Sequence, residues 1–343
     1  MSSVRSFNDF GQLEEIVIGS AEHFHIPDAD ASLRHFFGLP EDHTGDQVTE
    51  SDLARIIDET QEDLQALADT LTSFGVTVRR PAPAVHGSPL TVADWTTTAN
   101  HSLMPRDCLL VVGENIIEAP MPVRARYTET FPFRGLLAEY FASGANWLAA
   151  PRPRLADATY AYDGDTPVLA EIEPLFDAAN LLRAGSDLFF NVSNTGNRTG
   201  AAWLRRVLGP EFTVHEISIC DDHVGTTLHI LRPGVLLANA GRLTPETIPA
   251  PLRNWKILWF DEPEDDGYGL TWPRASTWIG MNILSVNEET VIVPAKQTEL
   301  ARQLEKEGFT AVPVPYRHGR TFGGGFHCCS LDVRRQGSLE SYV

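Results

Sequence analysis

The sequence predicts an α/β fold in which five ββαβ modules stack radially about an axis, as an α/β propeller. Two observations carry this prediction. Pairs of short apolar runs separated by turn residues recur along the chain, and an amphipathic stretch and a further apolar run follow most of them. Because one module cannot bury a face alone, radial stacking is the economical solution. We expect a single domain over residues 1–343.

The modules follow one another along the chain without a low-complexity linker. The first contains the apolar run LEEIVIG, an insertion or flexible loop over 20–50, a helix over 51–75 and a strand over 76–81. The other four open with hairpins, which are predicted over 108–120, 181–193, 227–239 and 282–294. Helices are predicted over 134–144, 200–209 and 296–308. Closing strands are predicted over 146–151, 212–217, 256–260 and 310–315.

The composition is that of a globular protein, with 43% hydrophobic and 21% charged residues. A formal net charge of −19 argues against nucleic acid as a partner, because phosphate binding needs a basic face, but it suits a cationic small-molecule substrate. No apolar run approaches the roughly 18 residues of a membrane span, and the first residues do not form a signal peptide. With free cysteines, the protein is therefore expected in the cytoplasm.

The stretch FGGGFHCCSLD (322–332) contains two of the four cysteines, Cys328 and Cys329. The glycines could simply form a tight turn and the cysteines could be small core residues. No CxxC or HxxxH spacing supports a structural zinc site, and adjacent cysteines rarely bridge each other. The remaining reading is a thiol nucleophile on a glycine-rich loop, which requires a base and an orienting carboxylate.

Candidate partners lie where the modules converge on the axis, just before their first strands. Asp107, Asp177 and His223 precede the second, third and fourth modules, and Cys328 follows the last strand of the fifth. A histidine can hold a thiolate, and a carboxylate fixes the tautomer of the histidine. His327 is a rival base, but its side chain points away from that of its neighbour in an extended chain.

These residues resemble the arginine amidinotransferases, a family that includes glycine amidinotransferase and the inosamine-phosphate amidinotransferase of aminoglycoside biosynthesis. The resemblance covers essentially the whole chain in the expected order; it includes SFNDF, LEEIVIG, MPRD, VVGENIIEAPM, FDAAN, RAGSD, PGVLLAN and GGGFHC with LDVRRQGSLESY. It implies the pentein fold, a five-bladed α/β propeller, and a role in specialised metabolite or antibiotic biosynthesis.

The resemblance also implies a role for each matching residue. It makes Cys328 the nucleophile, His223 the general acid/base and Asp177 its orienting carboxylate. Asp107 would bind the guanidinium of L-arginine, and Arg242 would bind a carboxylate. The implied route is ping-pong through an amidino-cysteine to an acceptor amine, with no metal or organic cofactor, and family members are often homodimers.

The chain departs from the family pattern at two positions of the donor site. Gly225 stands where the family has an aspartate that also binds the guanidinium, so a charge-assisted hydrogen bond worth roughly 1.5–3 kcal/mol is lost. Asp221 and Asp222 lie nearby in sequence and would need a backbone shift to replace it. Ala275 stands where the family has a serine. The next residue, Ser276, is also assigned to substrate binding.

Three other functions remain open beside amidino transfer. Water could take the amidino group, which would make the protein a guanidine hydrolase. Gly225 could indicate an altered donor, with an acyl or aminoacyl group carried by the same cysteine. A binding module without catalysis is the least favoured, because Cys328, His223 and Asp177 are all present. Asp187 is the alternative to Asp177 as the orienting carboxylate.

Overall fold

The computed structural model describes residues 3–40, 48–84, 86–270 and 272–343. Five three-stranded sheets, which we call blades one to five, share one arrangement: the first strand pairs antiparallel with the second, and the second pairs parallel with the third. Blade one consists of Ser330–Arg335, Leu13–Ile18 and Thr77–Arg79, and blade two of Leu109–Val112, Asn115–Glu118 and Asn146–Ala149. Blade three consists of Leu181–Ala184, Asp187–Asn191 and Thr213–Ile217, and blade four of Leu228–Arg232, Val235–Asn239 and Lys256–Phe260. Blade five consists of Leu284–Ser285, Thr290–Pro294 and Thr310–Val314.

Helices cross from the second to the third strand in four blades and pack on the outside of the sheets. They are Glu50–Ser73, Arg134–Ala142, Arg198–Leu208 and Thr298–Lys306. In the last of these, Leu300 and Leu304 are buried one turn apart, which is the spacing of an apolar stripe. Blade four has only a short 3₁₀ turn, Ala250–Leu252, at this place, so four of the five predicted modules are complete ββαβ units.

The blade hairpins form because apolar runs meet at residues suited to tight turns. The strands Leu109–Val112 and Leu181–Ala184 are buried throughout, as strands covered on both faces must be. Gly113 and Gly185 make the turns that follow them, with φ of 60° and 69°. These are left-handed conformations that favour glycine, so the turns fix the register of both hairpins.

Blade one is assembled from the two ends of the chain. Its first strand, Ser330–Arg335, pairs with Leu13–Ile18, so that Ile16 lies opposite Asp332. The sequence indicated only one strand before the helix of this module, and the carboxyl-terminal strand supplies the missing partner. Cys328 therefore precedes the first strand of blade one, which is the position that Asp107, Asp177 and His223 hold in their own blades.

Several elements lie outside the five blades and were absent from the sequence prediction. Two hairpins join blades one to two and two to three; their strands are Pro89–Val92 with Trp95–Thr98 and Tyr160–Asp163 with Thr166–Leu169. Helix Ala31–Phe37 lies within the 20–50 segment, of which residues 41–47 are outside the described residues. Within the described chain, no helix has the length and apolar character needed to cross a bilayer.

Short turns before the first strands meet around the axis of the ring, each in contact with its neighbours. They are Pro105–Cys108, Ala178–Asn180, Val224–Thr226, Thr277–Met281 and the turn that contains Cys328. The pairing of each turn with its blade brings residues that are 220 positions apart in sequence to one point. The axis end of the blades is therefore the place where a site can form.

A buried ion cluster anchors the carboxyl-terminal strand to this axis. Asp332 is fully buried and pairs with Arg183, at 2.6 Å, with Arg335, at 2.5 Å, and with Arg106. Asp9 also pairs with Arg183, whose Nε donates to Asp9 Oδ1 at 3.0 Å. Because buried charges are stable only when they are paired, this cluster favours a single position of the closing strand.

We expect Asp332→Asn to lower the free energy of unfolding by about 3–5 kcal/mol, because it leaves three buried arginines with one counter-charge fewer. The matched control is Glu299→Gln, which removes an ion pair with Arg302 on the surface of a helix and should change stability by less than about 0.5 kcal/mol. Urea denaturation of both variants measures the difference. Equal midpoints for the two variants would contradict the anchoring role.

Candidate active site

A carboxylate, an imidazole and a thiol meet at the axis. One ligand atom each of Asp107, His223 and Cys328 lies within 4.8 Å of the others, and all three residues are buried. Asp177, which is fully buried, places Oδ2 3.0 Å from Nε2 of His223. The four residues predicted from their positions before the blade strands are therefore brought together. Among the described residues, the first three also form the group that could hold a metal ion.

The axial turns position these side chains. His223 is the residue that precedes the turn Val224–Thr226, and Asp177 precedes Ala178–Asn180. The Asp177 carboxylate caps its own turn by accepting a hydrogen bond from the backbone N–H of Ala179 at 3.2 Å, which fixes its side chain. The opposite oxygen of the carboxylate is thereby directed at the histidine.

Burial and mutual charge set the protonation of the site. Burial and the Asp177 carboxylate raise the pKa of Asp107 to about 7, against the opposing effects of Arg126 and His223. Burial alone would lower the pKa of His223, but the carboxylates of Asp177 and Asp107 outweigh it and raise that pKa well above its ordinary value. Burial raises the pKa of the Cys328 thiol, which His223 opposes. The resting site therefore holds an imidazolium beside a protonated thiol.

The neighbours of Cys328 are turned away from this cluster. Cys329 is fully buried, its Sγ lies 3.6 Å from the carbonyl oxygen of Phe326, and burial raises its thiol pKa to about 12. Nε2 of His327 lies 3.9 Å from Asp9, behind the site, and burial together with Arg106 lowers its pKa to about 3. Neither residue is placed to take the role of Cys328 or His223.

The sequence reading missed Arg126, which lies between the carboxylates. Its Nη1 is 3.0 Å from Asp107 and 3.3 Å from Asp177, and its Nη2 donates to Glu129 at 2.9 Å. Arg126 and Glu129 lie in the irregular connection between the second strand and the helix of blade two, which includes the 3₁₀ turn Arg124–Arg126. Their i, i+3 spacing in RARYTE was the available signal. The site therefore combines three buried carboxylates with one buried arginine.

Arg242 and Ser276 lie outside the buried cluster, in an open cleft of about 380 Å³ that also includes Arg320. Nη1 of Arg242 donates to the hydroxyls of Thr226 and Thr227 at 2.9 Å, and it lies 3.3 Å from Asp222. The structure therefore places both predicted substrate-binding residues a layer farther out than the nucleophile.

Asp221 and Asp222 do not substitute for the missing acid at Gly225. Both line an outer cleft of about 540 Å³, and Asp222 pairs with Arg242. A Cβ built on Gly225 would lie 2.6 Å from Nδ2 of Asn282, so the space in front of this glycine is already filled. In this arrangement the Asn282 amide, rather than open space, therefore lies in front of Gly225.

Asp187, the alternative orienting carboxylate, belongs to another part of the fold. It pairs with Nε2 of His215 at 2.7 Å and accepts a hydrogen bond from Ser341 at 2.7 Å. It thus ties blade three to the last residues of the chain. Asp177 is the carboxylate beside His223.

Helix Ala31–Phe37 covers the entrance. The ring of Phe36 lies 5.7 Å from that of His223, and Phe37 stacks under the guanidinium of Arg274 at 4.6 Å. The inner cavity, which Asp107 and His223 line, measures about 30 Å³, enough for water but not for an amino acid. A substrate therefore needs Phe36 and Phe37 to move before it can reach the cluster.

Solved structures with this arrangement define the class of the protein. The inosamine-phosphate amidinotransferase of Streptomyces griseus matches with a TM-score of 0.94 and 43% identity over 100% of this chain and 99% of that one. An amidinotransferase of the saxitoxin pathway of Microseira wollei matches with a TM-score of 0.90 and 34% identity over 99% and 100%. A dimethylarginine dimethylaminohydrolase, at 16% identity and a TM-score of 0.61, shares the fold. The chain is thus a pentein-fold enzyme.

Sequence comparison narrows this class to one family. Inosamine-phosphate amidinotransferase 1 of Streptomyces glaucescens is 43% identical over 348 residues, which cover 100% of this chain and 99% of the relative. Mitochondrial glycine amidinotransferase of Gallus gallus is 34% identical over 99% of this chain and 84% of its own. No family model matches the chain. The chain belongs to the amidinotransferases, and the predicted resemblance and fold are confirmed.

We expect Asp177→Asn to lower the pKa of His223, because the amide no longer attracts the proton of the imidazolium. NMR titration of the ring proton resonances measures this pKa in both proteins. Asp187→Asn is the matched control: Asp187 pairs with His215 rather than with His223, so this variant should leave the pKa of His223 unchanged. An unaltered pKa of His223 in Asp177→Asn would contradict the 3.0 Å pairing as a source of its charge.

Proposed function

We propose that Cys328 accepts the amidino group of L-arginine, or of a related guanidine, and passes it to an acceptor amine. The observation that carries this proposal is the approach of Asp107, His223 and Cys328 within 4.8 Å, with Asp177 behind the histidine. A guanidinium carbon is a poor electrophile, so its charge must be held by a carboxylate while sulfur attacks. Asp107 is the carboxylate that adjoins the thiol.

The first half-reaction forms a bond between Sγ of Cys328 and the guanidinium carbon. The bond from this carbon to the side-chain nitrogen of ornithine breaks, and His223 gives that nitrogen a proton. The bound guanidinium also favours the thiolate, because a cation beside the sulfur opposes the effect of burial, and the thiol proton is released to solvent as the donor binds. In the second half, the acceptor amine attacks the carbon, His223 takes up its proton, and the C–S bond breaks to return the thiolate.

The charges of the site support a cationic donor. Oδ2 of the buried Asp107 pairs with Arg126, but its Oδ1 has no hydrogen-bond partner among the described residues. A buried polar atom without a partner is costly, so a single guanidinium lowers the free energy of the site when it binds. Asp107 has the raised pKa, and it is therefore the acid that a donor would return to its ionised form.

The two ends of the substrates require separate contacts. We assign Arg242 and Ser276 to the carboxylate of the donor, because a guanidinium–carboxylate pair is strong and because the cleft that they line shares Phe36 and Phe37 with the inner cavity. Gly225 contributes its backbone at the inner end. The relatives are named for inosamine-phosphate and glycine, and one acts in saxitoxin biosynthesis. We therefore place the reaction in specialised metabolite or antibiotic biosynthesis.

We also propose a cytoplasmic enzyme made of one domain, in a homodimer as the resemblance implies. The pairing of Ser330–Arg335 with Leu13–Ile18 supports one domain, since neither end of the chain completes blade one alone. Light scattering tests the dimer: a mass near twice 37.9 kDa is expected, and a mass near 37.9 kDa would overturn it.

Incubation with L-arginine should add the mass of CH2N2 to the intact protein and release ornithine. Cys328→Ala should abolish both, whereas the matched Cys329→Ala should retain most activity, because Cys329 points away from the site. An amine screen then separates transfer from hydrolysis, since a hydrolase turns over without any amine. No adduct and no ornithine would move the assignment to acyl or aminoacyl transfer.

Donor affinity should weaken by about tenfold per pH unit below pH 7, because Asp107 binds a guanidinium only as a carboxylate and its pKa lies at about 7. Calorimetry with the unreactive Cys328→Ala variant measures the Kd of L-arginine from about pH 5.5 to about pH 8.5. The control, which adds Asp107→Asn, should bind weakly and with little pH dependence. A constant Kd in Cys328→Ala would rule out Asp107 as the titrating group.

A further inference from the structure

Four of the five axial turns carry residues of the proposed mechanism, and the fifth carries Asn282. It follows the turn Thr277–Met281 and lies two residues before the first strand of blade five. Its side chain is fully buried. The other four turns contribute a carboxylate, a second carboxylate, an imidazole and a thiol, so an amide at the fifth position also faces the centre of the ring.

The Asn282 amide joins the nucleophile turn to the acid/base turn. Its Oδ1 accepts a hydrogen bond from the backbone N–H of Cys328 at 3.1 Å. Its Nδ2 donates to the carbonyl oxygen of Gly225 at 3.4 Å, two residues after His223. Both ends of one planar group are thereby used, and the separation between the two turns is fixed by the length of a single side chain.

The backbone on either side of Asn282 is shaped to hold it. A Cβ built on Gly325 would lie 2.6 Å from Cβ of Asn282, and one built on Gly225 would lie 2.6 Å from its Nδ2. Real side chains do not approach so closely, so both positions must be glycine for Asn282 to keep this orientation. Gly225, which departs from the family pattern, therefore leaves the space that the Asn282 amide occupies.

We propose that Asn282 is a positioning residue that holds Cys328 at its working distance from His223. The proposal rests on the proposed function for its kinetic effect but on the two hydrogen bonds for its geometry. Arg106 holds the turn that bears Cys328 from the side of the carbonyl oxygens of His327 and Ser330, whereas Asn282 holds the backbone N–H of Cys328 itself. Removal of the amide lets the sulfur drift relative to the imidazole, and a displacement of about 1 Å can cost about 100-fold in rate.

Asn282→Ala is expected to lower kcat about 100-fold, because Cys328 is no longer held in place. KM should change less than about threefold, because Asn282 touches neither Arg242 nor Ser276, the residues assigned to the donor carboxylate. Gly135→Ala is the matched control, since a Cβ at Gly135 meets nothing within 4 Å. The control should keep wild-type kinetics. A wild-type kcat in Asn282→Ala, or a loss confined to KM, would overturn the proposal.

Asn282→Asp separates positioning from mere packing. A protonated aspartate has the shape of asparagine, with an acceptor for Cys328 and a donor for Gly225, whereas the ionised form repels the carbonyl oxygen. The kcat of Asn282→Asp relative to wild type should therefore rise as pH falls, while that of Asn282→Ala should stay flat. Equal pH dependence in the two variants would show that the hydrogen bonds do not matter.

A double-mutant cycle tests the fit with Gly225. Gly225→Ala should displace the Asn282 amide and lower kcat, and Asn282→Ser, whose shorter side chain leaves room for the new Cβ, should also lower it. The double variant should be no worse than the poorer single variant, because both changes break the same contact. Additive losses would overturn the coupling. If Asn282→Ala fails to fold, the kcat of Gly225→Ala still tests the role of the Asn282 amide.

Alkylation of Cys328 by iodoacetamide, followed by mass spectrometry without any guanidine, keeps this test independent of the proposed function. In Asn282→Ala the pH midpoint of alkylation should move upward, because His223 opposes the raised pKa of the Cys328 thiol and this effect weakens as the sulfur moves away from the imidazole. An unchanged midpoint would overturn the positioning role. An altered midpoint in a protein that forms no amidino adduct would instead refute the function and retain the role of Asn282.

Discussion

The anchorage of the Cys328 turn by Arg106 is the interaction on which the rest of the site depends. Arg106 donates to the carbonyl oxygen of His327 at 2.9 Å and pairs with the buried Asp332. It also precedes Asp107, so one side chain fixes the Cys328 turn against the turn that presents the adjacent carboxylate. The two termini of the chain close the ring through this cluster, and ring closure and assembly of the site are therefore the same event.

Most of the fold could be predicted from the sequence, because the patterns that indicate its strands, turns and helices are local. Apolar runs and turn residues, followed by an amphipathic helix in blades two, three and five, lie within about forty residues of one another, and strand and helix bounds agree within a few residues. The pairing of Ser330–Arg335 with Leu13–Ile18 could not be read, because nothing local marks a contact across the whole chain. The hairpin Pro89–Val92 with Trp95–Thr98 was missed because its short, polar strands lack an apolar run.

The site was readable to the extent that it follows the repeat. Asp107, Asp177 and His223 occupy equivalent places before blade strands, so periodicity and chemistry pointed to the same residues. Arg126 was missed because it enters from an irregular segment, where no period predicts the direction of a side chain. Asn282 occupies a repeat position, but an amide is common in turns. Its importance depends on which two backbone groups it reaches, and only the folded chain defines them.

The same geometry changes which residues we expect to determine donor specificity. A neutral amide fills the space before Gly225, so on the proposed mechanism Asp107 is the carboxylate beside the thiol that receives the guanidinium. Its Oδ1 has no hydrogen-bond partner among the described residues and would suit any guanidinium, so on that mechanism the inner site recognises the group rather than the molecule that bears it. Discrimination among guanidines must then arise farther out, where Arg242 is held by Thr226 and Thr227 and faces an open cleft. The departure at position 225 thus bears on how firmly the nucleophile is held, and the outer cleft bears on which donor it meets.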